Sequence, residues 1–567
     1  MIVDDPASNS NNASATINHI SLDWNVDFGR KCIFGVVELF VRILNDTANI
    51  ILDGRSLTIK AIRIVDMEKV TWTKFDENVL GERYVIEFDK RKSGDEFVLT
   101  VEYNTGEAEK CTALQFLNAE QTTDKLGPYL FSQCQEINCR SLLPCMDTPL
   151  VKQSYEAKVT VPSGFTCLMS AMEWQREEKE DFSTFYFKQF IPIPSYLFAI
   201  VVGILEKRSV SDRCAIWAEP SVVDKAFFEF SEVEDILCTT ESIIGPYVWE
   251  RYDLVVLPSS FPFGGMENPN LTFVTPTLLA GDRSLVRVIV HEIAHSWTGN
   301  LVTNANWEHF WLNEGFTVFL ERKVLGRLYG EDIRHFEAEM GWNALELDIK
   351  ERFSESDPFT KLVQQHGKID PFDAFNIIPY EKGSAFLMYL EQILTNNDPL
   401  TFENCLRDYI EKYRYNFNGR LIKVVDLLAK KFLTTSESDI HMIKLDEFNS
   451  FTSSQKVKFL RIIYSYEIPL SLEKIEKLDS LFGLSLNENC EIFYWWILIS
   501  IKARWKTIIP LALSFVSRQG RLKYIQPIYS DLFKWDESAS EAISTFQKNI
   551  PFMHPMSVAK IKKILKL

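Results

Sequence analysis

The sequence lacks any apolar run of the roughly 18 residues that a membrane-spanning helix needs. Its two longest candidates, Tyr196–Leu205 and Phe493–Ile501, are interrupted too soon, and we interpret them as a buried strand and a core helix. The N-terminal stretch is acidic and polar, without the basic start and apolar segment of a secretory signal. We therefore expect a cytoplasmic protein with no membrane partner.

Cysteine and positive charge are also in short supply. The ten cysteines include no Cys-x-x-Cys pair, so neither a thiolate zinc site nor a disulfide framework is indicated, and free thiols are expected. Lysine and arginine number 61 against 78 aspartates and glutamates, which gives a formal charge of −17. Binding to nucleic acid or to an anionic membrane needs a basic surface, so neither partner is expected.

What is present is the composition of a globular protein, 46% hydrophobic and 25% charged, long enough for three to four folding units. From Ile17 to about Gly203, short β-branched and aromatic runs alternate with turn residues. In the run EFVLTVEY, for example, Phe97, Leu99 and Val101 share one face. This part of the chain is predicted to be an all-β domain.

Beyond about Glu206 the apolar residues recur at helical spacing, and helices dominate again after a polar stretch at Thr434–Asp439. The strongest helical patterns are Val286–Leu301, Glu314–Leu328, Tyr380–Leu394, Gln455–Tyr466, Glu491–Trp505 and Met556–Leu567. The polar stretch is predicted to be a linker between two domains.

One segment carries a chemical signature, the sequence VHEIAHSW at positions 290–297. On a helix, His291 and His295 lie one turn apart with about 40° of azimuth between them, so both imidazoles can reach one metal ion. Glu292 is turned by about 100° and can reach the water of that metal as a general base. In a chain with eight histidines, a chance match is expected in roughly one such sequence in a hundred. The alternative is a helix whose histidines only hydrogen-bond within the core.

A catalytic zinc ion needs a third protein ligand and an open position for water. Glu314 follows His295 after 18 intervening residues, in an apolar helical pattern where a carboxylate is costly unless it is paired or binds a metal. Glu321, two turns further on, is either an acceptor for a ligand histidine or a solvated surface charge. Both interpretations of Glu321 stay open at this point.

With these residues in place, the sequence resembles the gluzincin aminopeptidases of metallopeptidase family M1. The resemblance rests on HEIAHSWTGN followed by WLNEGF, and on GGMEN upstream of them. It is close to the leukotriene A(4) hydrolase/aminopeptidase branch and extends over YLFSQCQEINCRSLLPCMDTP, PYEKG, GRLKYIQP and MHP, in family order. It therefore covers nearly the whole chain.

The resemblance implies one Zn²⁺ per chain, held by His291, His295 and Glu314, with Glu292 as the general base. Tyr380 of PYEKG matches the tyrosine that stabilises the oxyanion and donates a proton. Glu267 of GGMEN matches the acid that binds the free α-amine of the substrate. The remaining residues matched to substrate binding are Gln133, Cys134, Gln135, Pro262, Phe263, Gly264, Gly265, Met266, Arg521 and Lys523.

Three positions depart from the vertebrate epoxide hydrolase of this branch. Phe372 and Phe375 stand where that enzyme has an aspartate and a tyrosine, and Phe263 stands where it has a tyrosine. Peptide hydrolysis needs none of these groups, whereas the missing aspartate is linked to placing water on the lipid epoxide. Hydrolysis of a leukotriene-like epoxide in the same cleft is kept as one alternative, and a non-catalytic peptide-binding scaffold as another.

The resemblance implies a multidomain α+β protein: an N-terminal all-β domain over 1–203, a thermolysin-like mixed α/β catalytic domain over 204–435 and a C-terminal all-α, helical-repeat-like domain over 436–567. The predicted function is a zinc-dependent aminopeptidase that removes N-terminal residues from short peptides, di- to tetrapeptides. A monomer is the working expectation.

Overall fold

The computed structural model of the chain describes residues 5–65, 67, 69–77, 79–353, 357–367, 369–395, 399–414, 417–418 and 483–567, with isolated positions between 456 and 479. Within this part of the chain, no helix has the length and apolar character needed to cross a membrane. The predicted linker Thr434–Asp439 and the domain boundary at 435/436 lie outside the described residues, as does most of Gln455–Tyr466.

The first two hundred residues form three β-sheets. The strands are β1 (Ala15–Asp27), β2 (Cys32–Ile43), β3 (Thr47–Gly54), β4 (Thr58–Ile64), β5 (Thr71–Glu77), β6 (Gly81–Arg91), β7 (Glu96–Asn104), β8 (Leu114–Leu117), β9 (Tyr129–Ser132), β10 (Lys152–Pro162), β11 (Thr166–Met169), β12 (Met172–Glu178), β13 (Phe182–Pro194) and β14 (Ile200–Gly203). Their orders are β12-β13-β10-β1-β2-β7-β4, β11-β14-β9-β8 and β3-β6-β5.

The alternation of side chains sets the register of the large sheet. In β7, Leu99, Val101 and Tyr103 are buried while the residues between them are only partly covered. Leu99 faces Leu39 of β2, and Val101 faces Val37, in an antiparallel ladder. Since one face of the strand is apolar, a shift by one residue would expose that whole face, which fixes the pairing.

The strand predicted over Tyr196–Leu205 begins later in the structure than the sequence pattern indicates. Strand β13 ends at Pro194, which lacks an N–H to continue the ladder, and Ser195–Leu197 then forms a single 3-10 turn. The strand itself covers only Ile200–Gly203.

The middle of the chain forms a mixed β-sheet with the strand order β15-β16-β17-β19-β18. Its strands are β15 (Glu206–Ser209), β16 (Cys214–Ala218), β17 (Tyr252–Val256), β18 (Gly265–Met266) and β19 (Leu271–Val274), and a short pair β20 (Thr303–Asn304) and β21 (Phe417–Asn418) follows. The helices here are α1 (Pro220–Glu229), α2 (Val233–Ile244), α3 (Arg287–His295), α4 (Trp311–Tyr329), α5 (Glu331–Arg352), α6 (Ile378–Thr395) and α7 (Pro399–Tyr413).

Helix α3 is shorter than the predicted Val286–Leu301, because the chain turns back soon after His295. Gly299 adopts a φ of +131°, a conformation that favours glycine, and its N–H donates to the carbonyl of Val302. This turn carries the chain from α3 toward α4, so that the two helices pack against each other.

The described C-terminal part is helical. It consists of α8 (Cys490–Lys502), α9 (Ile508–Arg518), α10 (Leu522–Phe533), α11 (Asp536–Asn549) and α12 (Pro555–Leu565). These helices share their own hydrophobic core, and Phe263 packs against both that core and the larger core of the preceding domains. The side chains around Phe263 therefore lie where the helical domain meets the rest of the molecule.

Candidate metal centre and substrate cleft

Helices α3 and α4 bring three donor atoms together. The Nε2 atoms of His291 and His295 lie 3.0 Å apart, and the Oε2 atom of Glu314 lies 3.3 and 3.4 Å from them. Glu314 Oε2 is buried and makes no hydrogen bond. The three atoms thus point toward a common centre rather than pairing with one another.

The other ring nitrogen of each histidine is held by an acceptor. Nδ1 of His291 lies 2.9 Å from the Glu321 carboxylate, and Nδ1 of His295 lies 3.0 Å from the carbonyl oxygen of Thr298. A proton on Nδ1 leaves the lone pair of each Nε2 free for a metal. Glu321 is therefore the acceptor for His291, which decides between its two sequence-based interpretations.

The donor set fits zinc. Tetrahedral zinc sites hold nitrogen and oxygen donors at about 2.0–2.2 Å from the ion, which places neighbouring donors roughly 3.3–3.5 Å apart, close to the separations found here. Four carboxylates, those of Glu267, Glu292, Glu314 and Glu321, surround the two imidazoles in the buried interior.

A second group of possible ligands, Cys139, Cys145 and Asp147, also converges in the described chain. Its carboxylate is already used, because Asp147 accepts from Arg140 at 2.9 Å and from Ser195 at 2.7 Å. Burial raises the pKa of the Cys145 thiol to about 11, which disfavours the thiolate that a metal needs. The histidine group is the better metal site.

Two further carboxylates face the metal centre. Donor atoms of Glu267, Glu292 and His295 all lie within 4.8 Å of one another. Burial raises the pKa of the Glu292 carboxyl to about 8 in the absence of a metal ion. Gly265 packs directly on this carboxylate, and a Cβ at that position would overlap it. Glycine is thus required for the backbone of β18 to approach the site.

Tyr380 lies beside His291, in the first turn of α6. Its ring stacks on His291 with centroids 6.2 Å apart. Helix α6 can come this close because Gly315 of α4 packs on Gly383 of α6, where a Cβ on Gly315 would meet the Gly383 Cα at 2.8 Å. The two glycines therefore set the separation of Glu314 and Tyr380, which belong to the same two helices.

These groups line a cleft of about 920 Å³, which lies between the sheet that contains β18, helix α5 and the C-terminal helices. Arg521 and Lys523 line it from the helical domain, and both contact the Glu491 carboxylate. Arg521 is 11% exposed and also donates to the Tyr524 hydroxyl at 3.2 Å. Glu491 thus holds Arg521 and Lys523 in place as a cationic part of the cleft wall, and they are not merely a solvated basic pair.

The structure places most of the predicted substrate residues in this cleft: Gln135, Pro262, Phe263, Gly264, Gly265, Glu267, Arg521 and Lys523. Gln133, Cys134 and Met266 are buried and are not among the cleft-lining residues. Gln133 instead donates to the Met266 sulfur at 3.3 Å, one layer behind the cleft.

Sequence reasoning missed some residues of the site. Thr317 lies one turn beyond Glu314 on α4, and its hydroxyl lies 3.1 Å from His295 Nδ1. Its spacing from Glu314 could have suggested this position. Glu491, which contacts Arg521 and Lys523, lies 30 and 32 residues before them, and no spacing rule connects it to them.

Comparisons with known families cover the chain in three parts. The Peptidase M1 N-terminal domain matches residues 16–197, the Peptidase family M1 domain matches 228–448, and the Leukotriene A4 hydrolase C-terminal family matches 451–565. The three-domain fold class predicted from the sequence is thereby confirmed.

Individual relatives match over their whole length. The chain is 39% identical to leukotriene A-4 hydrolase of Xenopus laevis and 35% identical to leucine aminopeptidase 2 of Yarrowia lipolytica, each over 99% of this chain, and over 99% and 93% of the relatives. The structure of yeast LTA4 hydrolase in complex with bestatin superimposes with a TM-score of 0.88 at 32% identity, covering 100% of this chain and 98% of that one.

An M1 zinc metallopeptidase from Deinococcus radiodurans shares the fold at lower similarity, with a TM-score of 0.58, 22% identity and coverage of 74% of this chain and 91% of that one. The predicted class, a hydrolase of the zinc metallopeptidases, agrees with all of these relatives. The chain belongs to peptidase family M1, in the branch that carries the leukotriene A4 hydrolase C-terminal domain.

Proposed function

We propose that this protein is a zinc-dependent aminopeptidase that removes N-terminal residues from short peptides, with one Zn²⁺ per chain bound by His291, His295 and Glu314. Such an ion would polarise the scissile carbonyl and lower the pKa of the attacking water. The family relationship supports the reaction class, and the geometry supports the choice of the N-terminal bond.

The observation that carries the proposal is the position of Glu267. Its carboxylate is 5% exposed and lies within 4.8 Å of the Glu292 carboxylate and a His295 nitrogen. Gln135 donates to it at 3.4 Å. A fixed negative charge at this distance from the metal centre leaves room for one amino acid between a protonated amine and the scissile carbonyl. Endopeptidase cleavage would place an uncharged amide there instead.

The reaction uses two further side chains. Glu292 takes a proton from the attacking water and returns it to the nitrogen of the scissile bond as that bond breaks. The Tyr380 hydroxyl donates to the carbonyl oxygen as negative charge develops on it. Both groups are rigidly placed, Glu292 against Gly265 and Tyr380 on the ring of His291, so little reorganisation is needed.

The cleft supports short substrates. Its volume of about 920 Å³ lies in the range of pockets that take small ligands. Strand β18 is the edge of its sheet, and its open side can pair with an extended peptide. Arg521 and Lys523 can hold the C-terminal carboxylate of that peptide, which would favour di- to tetrapeptides.

A lipid epoxide is the second candidate substrate, since Phe263, Phe372 and Phe375 give the cleft an apolar stretch. These phenylalanines offer no acid or hydroxyl to place a water molecule, so the geometry favours peptides. A non-catalytic scaffold is the least favoured of the candidate functions. Five groups with a proposed role in hydrolysis converge in one cleft: His291, Glu292, His295, Glu314 and Tyr380.

We further propose a cytoplasmic monomer. The ten cysteines are all free, which suits a reducing compartment. The proposed zinc ligands and the substrate-binding residues Glu267, Arg521 and Lys523 all lie in the cleft of a single chain, so no partner subunit is needed to complete the site.

The proposed function is tested with one tripeptide in two forms. The N-acetylated peptide is expected to be hydrolysed with a kcat/KM at least about 100-fold below that of the free-amine peptide, because Glu267 would lose its ionic partner. Release of the first residue is measured by chromatography. A C-terminally amidated peptide, which loses one charge at its other end, serves as the control and is expected to remain a substrate. Equal hydrolysis of the acetylated and free peptides would refute an aminopeptidase.

A further inference from the structure

A row of aromatic rings leads away from the metal centre along one wall of the cleft. The Phe375 ring lies 5.9 Å from that of Tyr380, and the Phe372 ring lies 6.5 Å further on. Phe263 packs against Phe375, with ring centroids 6.2 Å apart. These four rings form a mostly apolar strip of the cleft wall that begins at the metal centre, and we call it the aromatic channel.

Lys560 of α12 closes the far end of the aromatic channel. Its ammonium lies over the Phe372 ring, 5.4 Å from the centroid, and both residues line the cleft. Among the described residues, no carboxylate lies within 4 Å of this ammonium, whereas the neighbouring Lys563 pairs with Asp373 at 2.8 Å. Lys560 is thus held by an aromatic face rather than by an ion pair.

The aromatic channel is where the side chain of the first substrate residue would lie. With the amine at Glu267, next to Gln135, and the scissile carbonyl at the metal centre under Tyr380, the Cα between them faces the start of the channel. A side chain leaving that Cα runs past Phe375 toward Phe372. A long basic side chain would bring its cation to the ring that Lys560 already covers.

We propose that Lys560 is a specificity-determining residue that excludes arginine and lysine from the first substrate position, so that apolar and aromatic residues are preferred. This inference rests on the proposed aminopeptidase function. The ammonium of Lys560 occupies the Phe372 face and repels a second cation there. Apolar side chains carry no charge for it to repel and bury their surface on the channel walls.

Removing the Lys560 charge should allow arginine and lysine to bind at the first substrate position. The Phe372 face that the Lys560 ammonium covers then becomes free for a guanidinium, which can stack on it.

The test compares arginine-amide and leucine-amide substrates in the zinc-loaded protein. Lys560→Met is expected to raise the ratio of kcat/KM for arginine over leucine by roughly tenfold. Lys562→Met, an exposed lysine on the same helix, is the matched control and should leave the ratio unchanged. Because both substrates are measured with the same protein sample, the ratio of their kcat/KM values does not depend on the fraction of the protein that is folded.

Binding of the two amides by calorimetry gives a second readout that needs no turnover. An affinity ratio that shifts toward arginine in Lys560→Met, in a protein that hydrolyses neither amide, would refute the aminopeptidase and still support the role of Lys560. An unchanged ratio in both measurements would overturn the inference, as would a wild-type protein that already prefers arginine.

Discussion

Glu292→Gln is expected to lower kcat for a free-amine tripeptide by about 10³-fold, with the zinc content unchanged. Glutamine has nearly the same size and can pack against Gly265 as the carboxylate does, but it cannot take a proton from water. Glu292 is not one of the three converging donors, so the metal should stay bound. Turnover is followed by amine release, and metal content by elemental analysis of the same sample.

The control for this experiment is Glu331→Gln, which makes the same chemical change at a position 62% exposed and outside the cleft. It should leave kcat within twofold of the wild type. A zinc-loaded Glu292→Gln protein that keeps a third or more of the wild-type turnover would contradict the general-base role.

Tyr380→Phe is expected to lower kcat by about 10²–10³-fold and to change KM little, because the hydroxyl acts on charge that develops only in the transition state. The phenylalanine ring keeps the contacts with His291, Phe310 and Phe375, so the fold and the aromatic channel should be preserved. Steady-state kinetics at matched zinc content measures the effect.

For this substitution, Tyr329→Phe is the matched control. That hydroxyl lies 3.3 Å from Glu232 on the surface and removing it should change neither kcat nor KM. If Tyr380→Phe raised KM while kcat stayed at the wild-type value, the tyrosine would bind substrate rather than stabilise the oxyanion.

Local sequence patterns predicted the parts of the site that lie within one or two helices. The spacing of His291 and His295 sets both on one face of α3, and the apolar pattern around Glu314 places it at the start of α4. Such relations depend only on helical geometry, so they could be derived without knowing the rest of the fold.

Groups contributed from distant parts of the chain could not be predicted in this way. The role of Glu321 depended on which way α4 faces α3, which no local pattern reveals. Arg521, Lys523 and Lys560 reach the cleft only because the helical domain packs beside the catalytic domain, around Phe263. Family resemblance supplied the first two of these, while Lys560 became visible only in the structure.

The helix and strand ends that were wrong have local causes. Helix α3 ends six residues before the predicted Leu301, with a turn that needs the positive φ of Gly299. The strand after Tyr196 begins late because Pro194 ends the preceding ladder. In both cases the hydrophobic pattern extended over a turn, Ser195–Leu197 in the strand and the turn at Gly299 in the helix, which the pattern itself does not reveal.

The central claim is that one metal ion, bound by His291, His295 and Glu314, makes this chain an aminopeptidase. The most direct measurement combines zinc content per chain with the hydrolysis of a free-amine tripeptide, before and after treatment with a chelator and again after adding zinc. One zinc per chain, loss of nearly all turnover on chelation and recovery with about one equivalent of zinc are the predicted results. Full turnover in protein free of zinc and other metals would contradict the claim.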